Sequence, residues 1–236
     1  MIFYTIAGKT DGFGAQNQAM LSGLAFCTCK MRHIYVHTPF TTIEHGVDIN
    51  KANMFIGINN NIIRLPSKTD NILKKPLEPE VHWSSKPSRY YTDEVLAIIR
   101  KYYYSTEKPI IGDIDIAIHI RRGDVTKGNR YIDNSFYKEL ITRLKVKYPN
   151  SKITIFSEGN YEDFKDLGLE ENSFMLNMDI FVTFHSLVCA KVLIQSYSSF
   201  SYCAGLINTN TVYHFDGFWH KKLDKWLKLS TLINRR

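Results

Sequence analysis

The sequence is short of several things, and each shortage removes a class of function. No apolar run approaches the roughly 20 residues of a membrane-spanning helix. No block of like charge forms a nucleic-acid arm; the lysines are scattered, with short pairs only at Lys74-Lys75 and Lys221-Lys222. Only four cysteines occur, Cys27, Cys29, Cys189 and Cys203. None has the CxxC spacing of a cysteine metal site. All four lie in apolar contexts and read as buried free thiols, which fits a reducing compartment. The start, MIFYTIAGKTDGFG, lacks the basic and long apolar regions of a signal peptide. The expected location is therefore cytoplasmic, with no transmembrane segment. The P-loop pattern GxxxxGK followed by Ser or Thr is missing, which excludes ATP hydrolysis of that kind.

What is present is enough for a globular fold. The 236 residues suit one large or two small domains, and 44% hydrophobic with 13% aromatic residues supply a core. The formal net charge is +7, a weak bias toward anionic ligands. A basic RNA-binding domain would need an aromatic-basic signature, and none is seen; no nucleic-acid partner is expected.

Periodicity and turn residues give the element order. A strand over 2–7 leads into the glycine-rich turn Gly8-Lys9-Thr10-Asp11-Gly12-Phe13-Gly14, a helix over 15–29 and a strand over 32–37. Strand, glycine turn, helix, strand opens a Rossmann-like unit, in which the helix N-terminus favours an anion. No acidic residue closes the second strand, where His37-Thr38-Pro39 stands, and this argues against NAD. Between 38 and 87 the chain reads as irregular, with a short helix within 43–55, a short strand at 62–65 and a loop over 66–90. A helix follows over 92–104. Pro109 and Gly112 mark a break, giving an N-terminal domain of 1–108 and a C-terminal domain of 109–236.

The second half is more regular. Strands are expected at 115–120, 152–156, 173–176, 192–195 and, last, 211–214. Helices are expected at 134–148 (capped by Asp133 or Asn134), 161–167, 179–189 and 201–208. This alternation predicts an α/β fold with parallel sheets and helices on both faces.

In a parallel sheet the strand ends share one edge, where ligands collect. Three of these ends carry polar residues: Arg121-Arg122-Gly123-Asp124, Ser157-Glu158, and Ser196-Tyr197-Ser198-Ser199-Phe200. Arginine forks and a serine turn at a helix start suit a pyrophosphate. Glu158 or Asp179 could accept from a ribose hydroxyl or a base N–H. Taken singly, each serine reads as an ordinary helix cap; together with the arginine pair they favour a nucleotide diphosphate. Trp83, Trp219 and Trp226 read as packing residues rather than sugar platforms. His214 and His220 are close in sequence but have no third ligand at metal spacing.

His119-Ile120-Arg121-Arg122-Gly123-Asp124 resembles the HxRRGD signature of the GDP-fucose-dependent fucosyltransferases, the superfamily of α1,2-, α1,6- and protein O-fucosyltransferases. Gly12-Phe13-Gly14-Ala15-Gln16 is similar to their glycine motif, where asparagine is commoner than Ala15. Thr183-Phe184-His185 followed by AKVLIQSYSSFS resembles their C-terminal motif. The three matches run in family order, and residues 38–108 contribute little.

The resemblance implies a GT-B-like architecture, two Rossmann-like halves with parallel sheets facing across a cleft, the first on the acceptor side and the second binding the nucleotide sugar. It implies inverting transfer of fucose from GDP-fucose to a glycan hydroxyl, with no metal or other cofactor. Arg121 would hold the β-phosphate, supported by His119, Arg122 and Asp124. Ser196, Ser198, Ser199 and Phe200 would meet the pyrophosphate, and Asp179 the nucleoside. Gly12, Phe13, Gly14, Gln16, Glu158 and His185 complete the donor-binding set. The base is not declared by any motif; Asp11, in the glycine loop expected to face the cleft, is the choice, and near the place where one branch of the family carries a glutamate this chain has Asn129. Two alternatives stay open: another nucleotide sugar, for example a UDP-pentose, and a non-catalytic nucleotide- or glycan-binding module.

Overall fold

The computed structural model describes residues 2–6, 9–59, 72–75, 77–81, 86–125 and 130–233. The expected strand at 62–65, Trp83 and Asn129 lie outside these residues. The chain divides into two compact units: Met1–Lys108 with Trp219–Leu223, and Pro109–Phe218 with Asp224–Arg236. A short C-terminal segment, Trp219–Leu223, groups with the first unit.

The first unit is α/β. Strands β1 (Ile2–Thr5), β2 (His33–Tyr35) and β3 (Ile72–Lys74) form a parallel sheet in the order β2-β1-β3. Its helices are α1 (Phe13–Thr28), α2 (Ile49–Ile56), the short α3 (Glu78–Val81) and α4 (Asp93–Tyr103). Helix α1 starts two residues before the expected position, because extended Gly12 serves as its N-cap. It is buried along most of its length, which explains why its polar residues Gln16, Asn17, Gln18 and Ser22 obscure an amphipathic pattern. Helix α4 carries its own signals: Thr92 Oγ1 accepts from Val95 N, Asp93 and Glu94 occupy the first turn, and Arg100 and Lys101 the last. Each charge complements the helix dipole.

The segment 66–90 is not all loop: β3, α3 and a 3-10 turn at Pro87–Arg89 lie within it. Pairing with β1 recruits Ile72–Lys74 as an edge strand, although Leu73 and Lys74 are exposed and have no strand pattern.

The second unit is a doubly wound α/β domain. Strands β4 (Ile116–His119), β5 (Ile153–Ser157), β6 (Phe174–Leu176), β7 (Val192–Ile194), β8 (Thr211–His214) and β9 (Leu227–Lys228) form one parallel sheet. Their order is β6-β5-β4-β7-β8-β9. The helices are α5 (Asn134–Lys147), α6 (Ile180–Cys189), α7 (Ser199–Ile207) and α8 (Ser230–Ile233). The region 161–167 holds two 3-10 turns rather than a helix. The sheet does not end at residue 214, because β9 adds a two-residue edge strand.

Pleating divides the central strand between two layers. Ile116, Ile118 and Ile120 pack with Tyr137, Leu140, Ile141 and Leu144 of α5 and with Leu232 of α8. Ala117 and His119 point to the opposite face. Full burial of each isoleucine contributes about 1.5–3 kcal/mol, and the near-continuous apolar β4, β5 and β7 suit strands covered on both faces. Among the described residues no helix is long and apolar enough to cross a membrane.

Two expectations on packing change. Cys27, Cys189 and Cys203 form no disulfide and are buried or partly buried, but Cys29 is exposed, since it forms the C-cap of α1. Trp226 is buried against Tyr202 and His214, whereas Trp219 is 47% exposed.

Candidate functional site

The strand order fixes where a ligand should bind. The chain winds outward from β4 to β5 and β6, then returns to β7 and winds the other way. The loops after β4 and β7 therefore part at a topological switch point, the crevice where ligands of open α/β sheets bind. The arginine motif follows β4, and the serine turn follows β7.

The two loops are joined side chain to side chain. His119 Nδ1 lies 2.7 Å from Ser196 Oγ, and Arg121 Nη1 donates to Ser198 Oγ at 3.1 Å. Arg121 also donates from Nε to Asp124 Oδ1 at 3.1 Å and from Nη2 to Asp124 Oδ2. A guanidinium has five N–H groups, so among the described residues one remains open on each terminal nitrogen. Asp124 thus orients the arginine.

Ser198 is buried and caps α7, its Oγ accepting from Phe200 N at 3.2 Å as well as from Arg121. With both lone pairs engaged, its own O–H is left to donate. The serine turn is in large part the first turn of α7, and its positive dipole end faces this edge. Ser196 is fixed from behind: its N donates to Ser201 Oγ at 3.1 Å, and Gln195 Nε2 donates to Ser201 O at 3.2 Å.

Burial, assisted by the Arg121 guanidinium, pushes His119 down to about 3. The imidazole is neutral at pH 7, and its Nε2 has no hydrogen-bond partner among the described residues. Phe200 lies beside it at a ring distance of 5.5 Å and meets Phe184 edge-on at 5.2 Å. Phe184, part of the C-terminal motif, was not singled out as a site residue. The Arg121 fork, the Ser198 hydroxyl and the α7 N-terminus converge as donors, an arrangement suited to a poly-oxygen anion.

Other expected residues are placed differently. Arg122 turns away, donating from Nη1 to Arg121 O at 2.9 Å and from Nη2 to Ile132 O at 2.9 Å and Asn134 Oδ1 at 2.7 Å. Its guanidinium lies 4.1 Å from the Tyr131 ring centre. These bonds tie it to its own loop. Asp133, not Asn134, caps α5. Asp179 caps α6, its Oδ1 accepting from Phe181 N and Val182 N; the ordinary cap is the role its geometry displays. His185 is buried in α6 with Cys189 Sγ 3.6 Å from Nε2. Ser199 begins α7.

Arg130 is a residue that sequence reasoning passed over. It sits in left-handed backbone, φ 60°, close enough for Arg121 and Asp124 to act on it. Burial and Arg121 lower its pKa, and Asp124 opposes them. Its distance from the motif, across residues 126–129, hid it.

In the first unit, Gly12 caps α1, Gly14 lies in its first turn, and Phe13 is buried against Phe40 and Phe55. Gln16 ties two loops by donating from Nε2 to Asp11 O at 2.5 Å and Thr42 O at 2.8 Å. Phe13 and Gln16 therefore build the glycine loop. Asp11 is exposed and 3.3 Å from Lys9 Nζ. A pocket of about 120 Å³, bordered by Lys9, Gln16, Met20, Thr38 and Thr41, opens beside that loop. Burial pushes His37 down to about 4. Among the described residues no group of three His, Cys, Asp or Glu side chains is arranged to hold a metal ion.

No protein-family model and no curated relative matches the sequence. Similar solved structures include the E. coli heptosyltransferase WaaC with ADP-2-deoxy-2-fluoro heptose, at 11% identity and a TM-score of 0.42, covering 98% of this chain and 96% of that one. POFUT1 in complex with GDP-fucose is similar at 12% identity and a TM-score of 0.43, covering 96% of each chain. At these values the likeness decides neither family nor activity.

Proposed function

We propose that the chain is an inverting, metal-independent glycosyltransferase of GT-B-like architecture that transfers fucose from GDP-fucose to a glycan hydroxyl. The observation that carries the reading is the set of donors at the β4/β7 switch point, formed by residues of the two motifs that resemble the fucosyltransferase signature. His119, Arg121, Ser196 and Ser198 are far apart in sequence and bonded in pairs across that crevice.

The chemistry follows from what such an edge stabilises. The acceptor oxygen attacks the anomeric carbon, the bond from that carbon to the phosphate oxygen breaks, and the diphosphate takes up negative charge. Fixed cations and dipoles aimed at that charge lower the barrier. Arg121, held by Asp124 and Ser198, is already oriented for this task. The acceptor's proton needs a base, and Asp11 is the proposed one. The second unit is assigned the donor and the first the acceptor. The residues joined at the edge address a diphosphate rather than a base or sugar, so transfer from another nucleotide sugar is the second reading.

Incubation with GDP-fucose and a panel of fucose-acceptor glycans, read as GDP release and product mass, tests the proposal. Fucosylated product with retained activity in excess EDTA is expected. Product from a different sugar nucleotide only would establish the second reading. Tight GDP binding with no transfer or hydrolysis of any donor would reduce the chain to a binding module.

A further inference from the structure

Two serines at the end of β7 are too deep to reach a ligand. Ser196 is 2% exposed and Ser201 is fully buried. Their hydroxyls form a row that ends at His119.

The row starts beneath α7. Gln195 Nε2 donates to Ser201 O at 3.2 Å, and Gln195 Oε1 lies 2.7 Å from His214 Nδ1. The helix comes this close to Gln195 because residue 205 is glycine; a Cβ there would collide with Nε2. Ser201 Oγ accepts from Ser196 N at 3.1 Å and donates to Ser198 O at 3.4 Å. Ser196 Oγ stands 3.5 Å from Ser201 Oγ and 2.7 Å from His119 Nδ1.

The Ser196 hydroxyl has one proton and, among the described residues, two neighbours that could receive it. Ser201 Oγ, at 3.5 Å, is at the outer limit of a hydrogen bond, whereas His119 Nδ1, at 2.7 Å, is at the usual length. A hydrogen on Nδ1 would point at Ser196 Oγ and leave the buried Ser196 proton with the long contact alone, which is costly. Burial and the Arg121 guanidinium keep the imidazole neutral, so the ring carries a single N–H. With Nδ1 accepting, that hydrogen sits on Nε2, since the bond at one ring nitrogen sets the role of the other. Nε2 has no protein partner among the described residues.

We infer that Ser196, braced by Ser201, is a positioning residue: it holds His119 in the Nε2–H tautomer and makes the imidazole a fixed donor for an oxygen of the nucleotide's diphosphate. Ser196 acts through the ring and does not meet the pyrophosphate itself. The inference rests on the nucleotide-binding reading above and adds how a buried serine pair shapes that site.

Nitrogen-15 NMR of histidine-labelled protein at pH 7 tests it, with the His119 signals assigned by their loss in His119→Ala. The wild type should show the hydrogen on Nε2 and a bare Nδ1. Ser196→Ala should give mixed tautomers, with GDP affinity by calorimetry about fivefold lower, the scale of one neutral hydrogen bond. In the His119→Ala background the same change should alter GDP affinity less than about twofold, whereas a merely structural serine would cost the same in both backgrounds. Circular dichroism verifies the fold of each variant, and the wild-type tautomer decides the point even where Ser196→Ala does not fold. A hydrogen on Nδ1 in the wild type, or equal losses in the two backgrounds, overturns this inference alone. A wild type that does not bind GDP overturns the nucleotide reading and the donor role of His119 with it.

Discussion

The carboxyl edges of the two sheets are built from the same plan and differ in what their loops touch. In the six-stranded sheet, side chains from different strand ends bond one another: His119 to Ser196 and Arg121 to Ser198. In the three-stranded sheet, the glycine loop is held by Gln16 through backbone carbonyls and by the buried Phe13 ring. The first edge is a set of ionic and hydroxyl groups fixed in mutual contact. The second is a scaffold around a pocket. A Rossmann-like unit makes a crevice wherever its strand order reverses; the residues after the strands decide whether the crevice holds charge.

Acid should break both edges at once. His37 and His119 are kept neutral in the fold, with pKa values pushed down to about 4 and about 3. Above pH ~6.5, the unfolded value, neither contributes. Below it the unfolded chain binds protons that the native state refuses, so stability falls until the folded pKa values are reached. By pH 4.5 His37 alone should cost about 2–3 kcal/mol. Urea titration at pH 7.5, 6 and 4.5 measures this, and His37→Gln should flatten the part that belongs to the first unit.

Arg122→Ala should come next, at about 2–3 kcal/mol of stability, since three hydrogen bonds and the contact with Tyr131 are removed. Chemical denaturation gives the value. GDP affinity should fall much less than on removing Arg121, because Arg122 commits three of its five N–H groups to acceptors of its own loop. An equal loss of affinity would show that the two arginines act as one binding unit.

Gln16→Ala should cost about 1 kcal/mol by loosening the first edge, while leaving GDP affinity within about twofold. Smallest on binding should be Asp11→Asn: no change in GDP affinity beyond about twofold, but loss of transfer if the carboxylate takes the acceptor's proton. Turnover unchanged in Asp11→Asn removes that residue from the mechanism.

Much of the second unit was legible because its signals are local. The strand ending in His119, the helix closed by Pro149 and the serine turn after β7 each declare themselves by apolar runs and breakers. What hid there depended on pairing. Residues Leu227 and Lys228 become a strand only because β8 offers an edge. Pairing with β1 does the same for Ile72–Lys74.

Of the site, the joining of arginine loop to serine turn was inferable from parallel topology. The opposite directions of Arg121 and Arg122 were not. Adjacent residues leave a strand end on opposite sides, and only the acceptors on the loop, Ile132 O and Asn134 Oδ1, decide which guanidinium is captured. Asp179 shows how a motif position can carry a local duty as well: its Oδ1 accepts from two N–H groups of helix α6, a cap that the motif alone does not reveal.

The central claim is that Arg121, held between Asp124 and Ser198, binds the diphosphate of a nucleotide. Isothermal titration of GDP into the wild type and Arg121→Ala tests it most directly. The account predicts saturable binding by the wild type and a loss of about 100-fold or more in the variant, the scale of a charge-assisted pair removed from an anion site. Binding of equal strength in both proteins would contradict it.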